Sequence, residues 1–228
     1  MSSDDDLPIT RRTVLQWGVL QWGVLLGAPT FDLNHGLAEE TQREQRWPRF
    51  NGRDLTGWQI ASRDFFDKHG EVGWRDGAVH LGVGRPGTAI SWTGEMPRID
   101  YEVTLEAKRV SGDDFFCGLT FPIHEAYCTL ILGGWGGGTT GLSNIDGFSA
   151  VENETTDYLE VKPNHWHRVR LRAARRQILA EVDGRKIVDL DPTDKKFEIW
   201  WEQEPVRPFG IASWNTAAAL RSLKVTSL

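Results

Sequence analysis

Hydrophobic and polar positions alternate with a period of two along several stretches of this chain. Tyr101, Val103, Leu105 and Ala107 fall on one side of a run whose other side carries Glu102, Thr104, Glu106 and Lys108. That is the pattern of a strand with one face buried and one solvated. Val169, Leu171 and Ala173 alternate in the same way with Arg168, Arg170 and Arg172. The arginine row reads most simply as the solvated outer face of a sheet, with a polyanion site as the alternative. Ile178, Ala180 and Val182 lead into Asp183-Gly184, a tight hairpin turn, and Ile187 to Leu190 forms the returning strand. Phe115 to Phe121 and Tyr127 to Leu132 are apolar on both parities, which places them centrally in a sheet. Asn51-Gly52 and Asp76-Gly77 are further turn signals beside short apolar or aromatic runs. Gly133 to Gly141 breaks the pattern with six glycines and Trp135. The number of strands, the frequency of turns and the absence of sustained heptads predict an all-β sandwich. Tyr101, Val103, Leu105, Val169 and Leu171 are expected on its buried faces.

Composition narrows the class only a little. The chain has 228 residues and a formal net charge of -6, which argues against a nucleic-acid partner. Residues 1–38 look like a targeting segment: Thr10-Arg11-Arg12-Thr13-Val14-Leu15 resembles a twin-arginine export motif. Trp17 to Ala28 is largely apolar and uncharged, and Gly36-Leu37-Ala38 offers small residues for cleavage after Ala38. The apolar run is too short for a spanning helix, so the expectation is a periplasmic or extracellular protein with no membrane segment in its mature form. The pentamer Gln16 to Leu20 repeats as Gln21 to Leu25, read as a duplication inside a tolerant signal. Residues 39–46 are polar and read as a linker, and residues 47–228 as one domain. About 190 residues are enough for one large sandwich.

Candidate chemistry is scattered. Cys117 and Cys128 flank an expected hairpin with its turn near Pro122 to Ala126. They form either a cross-strand disulfide, which an exported protein can keep, or two buried free thiols. Gly133 to Thr155 is expected as a long loop over a concave face. Its glycines permit close backbone approach, and Trp135 offers a plane on which a sugar ring can stack. Asn144, Asp146, Glu152, Asn153 and Glu154 offer hydrogen bonds to hydroxyls, or oxygen ligands to Ca²⁺ or another divalent metal. No cofactor is fixed by the sequence. The bland alternative is an acidic surface loop. His165 and His167 share a face at a strand entry and can share a metal, or simply flank Trp166. His124, beside Glu125 in the hairpin turn, is a lone candidate base or a surface histidine. Trp200-Trp201 and Trp214-Asn215 either line a groove or fill the core.

Three blocks carry a resemblance to a known family. Phe50 to Gln59 (FNGRDLTGWQ) with Trp74 to Leu81 (WRDGAVHL) resembles the opening of the 3-keto-disaccharide hydrolase domain family. His165 to Ala173 with Gln177 to Asp189 resembles its central hairpin, and Pro208 to Val225 its closing strand pair. The resemblance implies a concanavalin-like jelly-roll β-sandwich and a carbohydrate partner. These are framework blocks and speak to fold more than to chemistry. At the place where the family often carries strand carboxylates, this chain has Cys128 and Gly133, and the carboxylate-rich strand of retaining glucanases is absent. The resemblance implies a hydrolase or lyase acting on 3-keto-glycosides, with Asp146, Glu152 and His124 as candidate catalytic groups. Trp135, Asn144, Asn153, Glu154 and Trp214 would be the ligand contacts. The alternatives are a non-catalytic carbohydrate-binding module and an exported interaction domain.

Overall fold

The period-two runs become strands with the sidedness their sequence predicts. The computed structural model describes residue 42 and residues 46–228; the expected export segment lies outside the described residues. Two antiparallel seven-stranded sheets pack face to face as a jelly-roll sandwich. In spatial order the front sheet holds β1 (Trp58–Ile60), β4 (Gly87–Trp92), β13 (Gly210–Trp214), β6 (Cys117–Ile123), β7 (Ala126–Gly134), β8 (Thr139–Ser143) and β9 (Asp157–Tyr158). The back sheet holds β12 (Arg185–Leu190), β11 (Gln177–Val182), β10 (His167–Ala174), β5 (Tyr101–Ser111), β14 (Ala217–Ser227), β3 (Ala78–Leu81) and β2 (Val72–Arg75). Two short 3₁₀ helices, Asp64–Phe66 and Trp201–Val206, lie in the connections. Among the described residues no helix is long and apolar enough to cross a membrane.

Register aligns the core. Ile90, Ile211, Leu119, Leu130 and Leu142 stand side by side across five strands of the front sheet. They share one cluster with Val103, Leu105, Val169, Leu171 and Leu220 of the back sheet. Each such side chain, fully buried, contributes about 1.5–3 kcal/mol. Tyr101 is fully buried, and its hydroxyl donates to the carbonyl of Pro122, tying β5 to β6 across the sandwich. Burial pushes its phenol pKa well above the usual value. The uniformly apolar runs do lie centrally, with β6 fourth of seven in its sheet.

The arginine row of β10 lies on the outer face and is partly paired with carboxylates of its neighbours. Arg170 bridges Glu102 at 2.9 Å and Glu181 at 2.6 Å, while Arg172 lies 3.6 Å from Glu102. On the neighbouring strand Arg221 pairs with Glu106 at 2.8 Å, and its hydrogen bond holds that carboxyl below the usual range. Glu102 and Glu106 come from the polar parity of β5 and Glu181 from β11 opposite Arg170, so the ladder follows from the sheet's own register.

The two cysteines are buried free thiols, which excludes the disulfide alternative. Cys117 stands opposite Leu132 and Cys128 opposite Phe121, so the pair stands on separate, non-adjacent rungs of the hairpin ladder. Burial pushes both thiols up to about 12. A thiol is nucleophilic only as thiolate. Native protein at pH 8 is therefore expected to resist iodoacetamide at both positions, while protein in denaturant takes two labels without prior reduction. Intact mass after each treatment measures this; rapid native labelling, or a requirement for reductant in denaturant, would contradict it.

Candidate functional site

The front sheet is covered on both faces. Flanking the core-facing row, on the opposite side, are two further cross-strand rows. One is Ser91, Gly210, Thr120, Thr129 and Ser143; the other is Ala89, Ala212, Gly118, Ile131 and Gly141. All but Ile131 are small or hydroxylated because a second layer presses on them. A methyl group at Gly87 would come within 2.5 Å of the Phe66 ring, and one at Gly118 within 2.9 Å of the Phe115 ring. Phe66, Phe115, Ala150 and Val206 form this layer, with Trp214 packed against it. The buried hydroxyls are satisfied locally: Thr120 and Thr129 share a hydrogen bond at 3.0 Å, and Ser91 accepts from Gln59 at 3.0 Å.

Where the second layer is incomplete, a cleft of about 280 Å³ opens on this face. Its floor is Thr129, Ile131 and Ser143. Phe115 and Trp214, stacked at 24° with centroids 5.9 Å apart, form one wall. Trp135 and Trp200 also line it and turn 46% and 42% of their surface to solvent. Asp114, Glu202 and Gln203 complete the lining. One oxygen of Glu202 and the amide oxygen of Gln203 are buried without a hydrogen-bond partner. Unpaired buried acceptors are uncommon in native proteins and here lie at an open, polar-floored cleft. The combination of indole planes, hydroxyls and a free carboxylate oxygen suits a ligand with C–H faces and hydroxyl edges.

A buried arginine sets the position of Trp135. Arg109 occupies the fifth inward-facing position of β5, after Tyr101, Val103, Leu105 and Ala107. Its Nη2 donates to the carbonyls of Asp114 (2.9 Å), Gly133 (2.7 Å) and Gly137 (3.1 Å). Burial lowers its pKa, with Asp114 and Asp113 acting in the opposite direction. Asp114 in turn accepts from the backbone N–H of Phe115 at 2.7 Å and of Trp135 at 3.3 Å. Trp135 itself has a φ of 48°, a left-handed conformation that a tryptophan holds only where its surroundings impose it.

The residues singled out from the sequence divide between this cleft and other places. Trp135 and Trp214 line it. Asn144 is buried next to it in sequence: its side-chain oxygen accepts from Ser143 at 2.8 Å, and its backbone exchanges hydrogen bonds with Glu198. Asn153 organises the chain, donating to the carbonyls of Leu142, Phe148 and Ser149 and accepting from the N–H and hydroxyl of Thr155. Glu154 pairs with Lys195. Asp146 accepts from the N–H of Lys196 at 2.8 Å and lies 3.6 Å from the Lys195 ammonium. Glu152 accepts from the Ser149 hydroxyl at 3.1 Å. His124 is exposed at the β6–β7 turn with a φ of 49°. Asp146, Glu152 and His124 stand outside the cleft lining.

One expectation is corrected. Gly133 to Thr155 is not one continuous loop: it contains β8, and Leu142, Ile145 and Ala150 are buried. The glycines obscured a strand because Gly141 lies under the Thr155 backbone, where no side chain fits. The departure at Cys128 concerns the core and not the cleft, since Thr129 and Ile131 are the cleft-facing residues of β7. Asp146 and Glu154 both approach the Lys195 ammonium. Among the described residues, the group of His, Cys, Asp or Glu whose donor atoms converge is His165, His167 and Asp183. Sequence reasoning missed Asp114, Phe115, Glu202, Gln203 and the positioning role of Arg109. A charge at an inward parity of a period-two strand was the available signal for Arg109; a 3₁₀ helix offers no comparable period for Glu202 and Gln203.

Arg109→Lys cannot satisfy three carbonyls in the same fork geometry. It should lower the unfolding free energy in urea by roughly 1–3 kcal/mol and blue-shift or broaden the emission assigned to Trp135. Unchanged stability would remove Arg109 from this role.

Comparison with solved structures finds the same architecture at low identity. A Bacillus subtilis protein with a galectin-like fold superposes with a TM-score of 0.50 at 12% identity, over 76% of this chain and 90% of that one. A sialidase gives 0.49 at 12% identity over 76% of this chain, which spans 17% of the sialidase's length. A carbohydrate-binding module from Bacillus subtilis gives 0.47 at 10% identity, over 79% of this chain and all (100%) of that one. These likenesses concern the fold alone. No curated protein matches the sequence. The family described as the 3-keto-α-glucoside-1,2-lyase-like domain matches residues 47–226, which is most of the chain and includes every strand of both sheets but the last residue of β14. The chain belongs to that family.

Proposed function

We propose that the front-sheet cleft binds one sugar ring and that the domain cleaves 3-keto-glycosides by elimination. Family membership supports the substrate class. The observation that carries the chemistry is the buried, unpartnered carboxylate oxygen of Glu202 at the edge of a tryptophan-lined cleft. A ketone at sugar carbon 3 acidifies the proton on carbon 2. A carboxylate takes that proton, the carbon 1–oxygen bond breaks, and the departing oxygen leaves with its electron pair and is protonated. The products are an alcohol and a 1,2-unsaturated 3-keto sugar. One base suffices, whereas displacement at carbon 1 needs two carboxylates. Asp114, the other carboxylate of the lining, holds the backbone N–H groups of Phe115 and Trp135 on its Oδ1, so we take it as a positioning group and Glu202 as the base.

We place the base at Glu202 ahead of Asp146, Glu152 and His124, whose side chains lie outside the cleft lining. Trp135 and Trp200 supply the stacking planes, and Gln203, Thr129 and Ser143 are lining polar groups that would hold the enolate oxygen or ring hydroxyls. The second reading is a sugar-binding module without turnover, favoured by the absence of a carboxylate on the cleft face of β7.

The test uses a 3-keto-disaccharide and follows the unsaturated ketone by absorbance and mass. Glu202→Gln should lower turnover by about 10²-fold or more while the sugar still binds. Trp135→Ala should weaken binding by about 1–3 kcal/mol, by analogy with aromatic platforms for bases. Turnover by Glu202→Gln at the parent's rate would reject the base, and binding by the parent without any turnover would select the second reading.

Export by the twin-arginine route is part of the same proposal, supported by Arg11-Arg12 and the uncharged run after them. Replacing both arginines by Lys should leave uncleaved precursor in the cytoplasm. Undiminished export of that variant would reject the route.

A further inference from the structure

We propose that His165, His167 and Asp183 form a binding site for a divalent transition-metal ion at the end of the back sheet, separate from the cleft residues. His167 opens β10 on its inward parity, the parity that carries Val169, Leu171 and Ala173. An imidazole at that place is 3% exposed, and one of its nitrogens, Nε2, has no partner. Its Nδ1 lies 2.8 Å from Oδ2 of Asp183. His165, two residues earlier, brings its Nε2 to 4.0 Å from the same oxygen, with the two imidazole centroids 4.8 Å apart.

A hydrogen bond accounts for the first contact but not for the second. At 4.0 Å the His165 nitrogen is beyond hydrogen-bonding reach of the carboxylate. Both separations bracket the distance between two ligands on one metal: bonds of about 2.0–2.2 Å in tetrahedral array put donor atoms about 3.3 Å apart. All three donor atoms lie within 4.8 Å of one another, so small rotations of exposed His165 close the set. Two imidazoles with one carboxylate select zinc, nickel, copper or cobalt over calcium, which prefers oxygen.

The carboxylate is already aimed. Asp183 Oδ1 accepts from the N–H of Arg168 at 2.8 Å, which leaves Oδ2 to the histidines. The Asp183 N–H donates back to the Arg168 carbonyl at 2.9 Å, locking the β11–β12 turn onto β10. Such outer hydrogen bonds orient ligands in metal sites. In front of the three lies an open depression of about 580 Å³ that admits water to the remaining coordination positions. Lys162, Glu160 and Arg185 share its rim, and Arg185 is committed to Asp157 at 2.9 Å. A metal here would pin the hairpin turn to the strand start.

The test is titration of tag-free, chelator-treated full-length protein with Zn²⁺ against a chromophoric chelator, alongside Co²⁺ absorption spectra. The parent should bind one tight equivalent, show Co²⁺ bands of a four- or five-coordinate ion, and unfold at higher temperature with Zn²⁺. His165→Ala, at an exposed position, and Asp183→Asn, which keeps the acceptor for the Arg168 N–H, should each weaken that equivalent tenfold or more and lose the thermal shift. Equal Zn²⁺ binding by the parent and both variants, or no binding by the folded parent at millimolar Zn²⁺, would overturn the site. Sugar turnover is a separate readout, so either proposal can fail alone.

Discussion

The front sheet has to be buried on both faces, and most of what distinguishes this molecule follows from that constraint. A sheet in a two-layer sandwich ordinarily exposes one face to water, and its strands then alternate. Here β6 is buried at every position from Cys117 to Ile123. Its outer face carries glycine, alanine, serine and threonine because Phe66, Phe115 and Val206 sit directly on it. Larger side chains there would expel that layer, and charged ones would be left without water. The hydroxyls that remain are paired with each other, with Gln59 or with Asn144. Where the layer stops, the same small residues become the floor of the cleft, already rigid and already polar.

The back sheet lives under the opposite rule, and its sequence shows it. β5 and β10 each alternate apolar and charged residues, and their polar faces meet as Glu102–Arg170–Glu181 and Glu106–Arg221. Trp166 lies under both Lys108 and Arg221, at 4.8 Å and 4.2 Å from its ring centre. Such exposed pairs contribute little individually, but they tie the strands of the face together in register. Arg109 is the exception that links the sheets. It continues the inward parity of β5, yet spends its guanidinium on carbonyls of the segments that carry Trp135.

The difference between the sheets decides what could be read without coordinates. Val103, Leu105, Val169 and Leu171 announce their burial through period two, and Asp76-Gly77 and Asp183-Gly184 announce their hairpins through turn chemistry. The uniformly apolar β6 and β7 could be placed centrally but not assigned faces, since nothing in their pattern shows that Cys128 faces the core and Thr129 the cleft. β8 was hidden among glycines, because a strand that packs under another backbone loses the side chains that would mark it. Glu202 and Gln203 carry no pattern at all: a 3₁₀ helix is too short to show a period, and its Glu-rich sequence reads as surface. The loop acids Asp146 and Glu154 attracted attention by composition, whereas the structure engages both with Lys195.

The cleft therefore owes its floor to the sheet and its chemistry to the connections. Thr129, Ile131 and Ser143 come from strands, but Asp114, Trp135, Trp200, Glu202 and Gln203 come from the segments between them. A rigid floor with variable walls lets one sandwich serve binding and catalysis by changing loops alone. At about 280 Å³ the cleft is near the low end of small-molecule sites, which run from about 300 Å³ upward, so it is sized for a single ring. Trp200 also lines a second depression beside Tyr127, whose ring is held between Arg98 at 4.8 Å and Arg207 at 4.7 Å. The two hollows thus share one indole wall. The first hollow sets the carboxylates of Asp114 and Glu202 among indoles, and the second sets Glu125, Glu198, Glu204 and Arg207 beside Trp200 and Tyr127, so both pair apolar planes with polar edges.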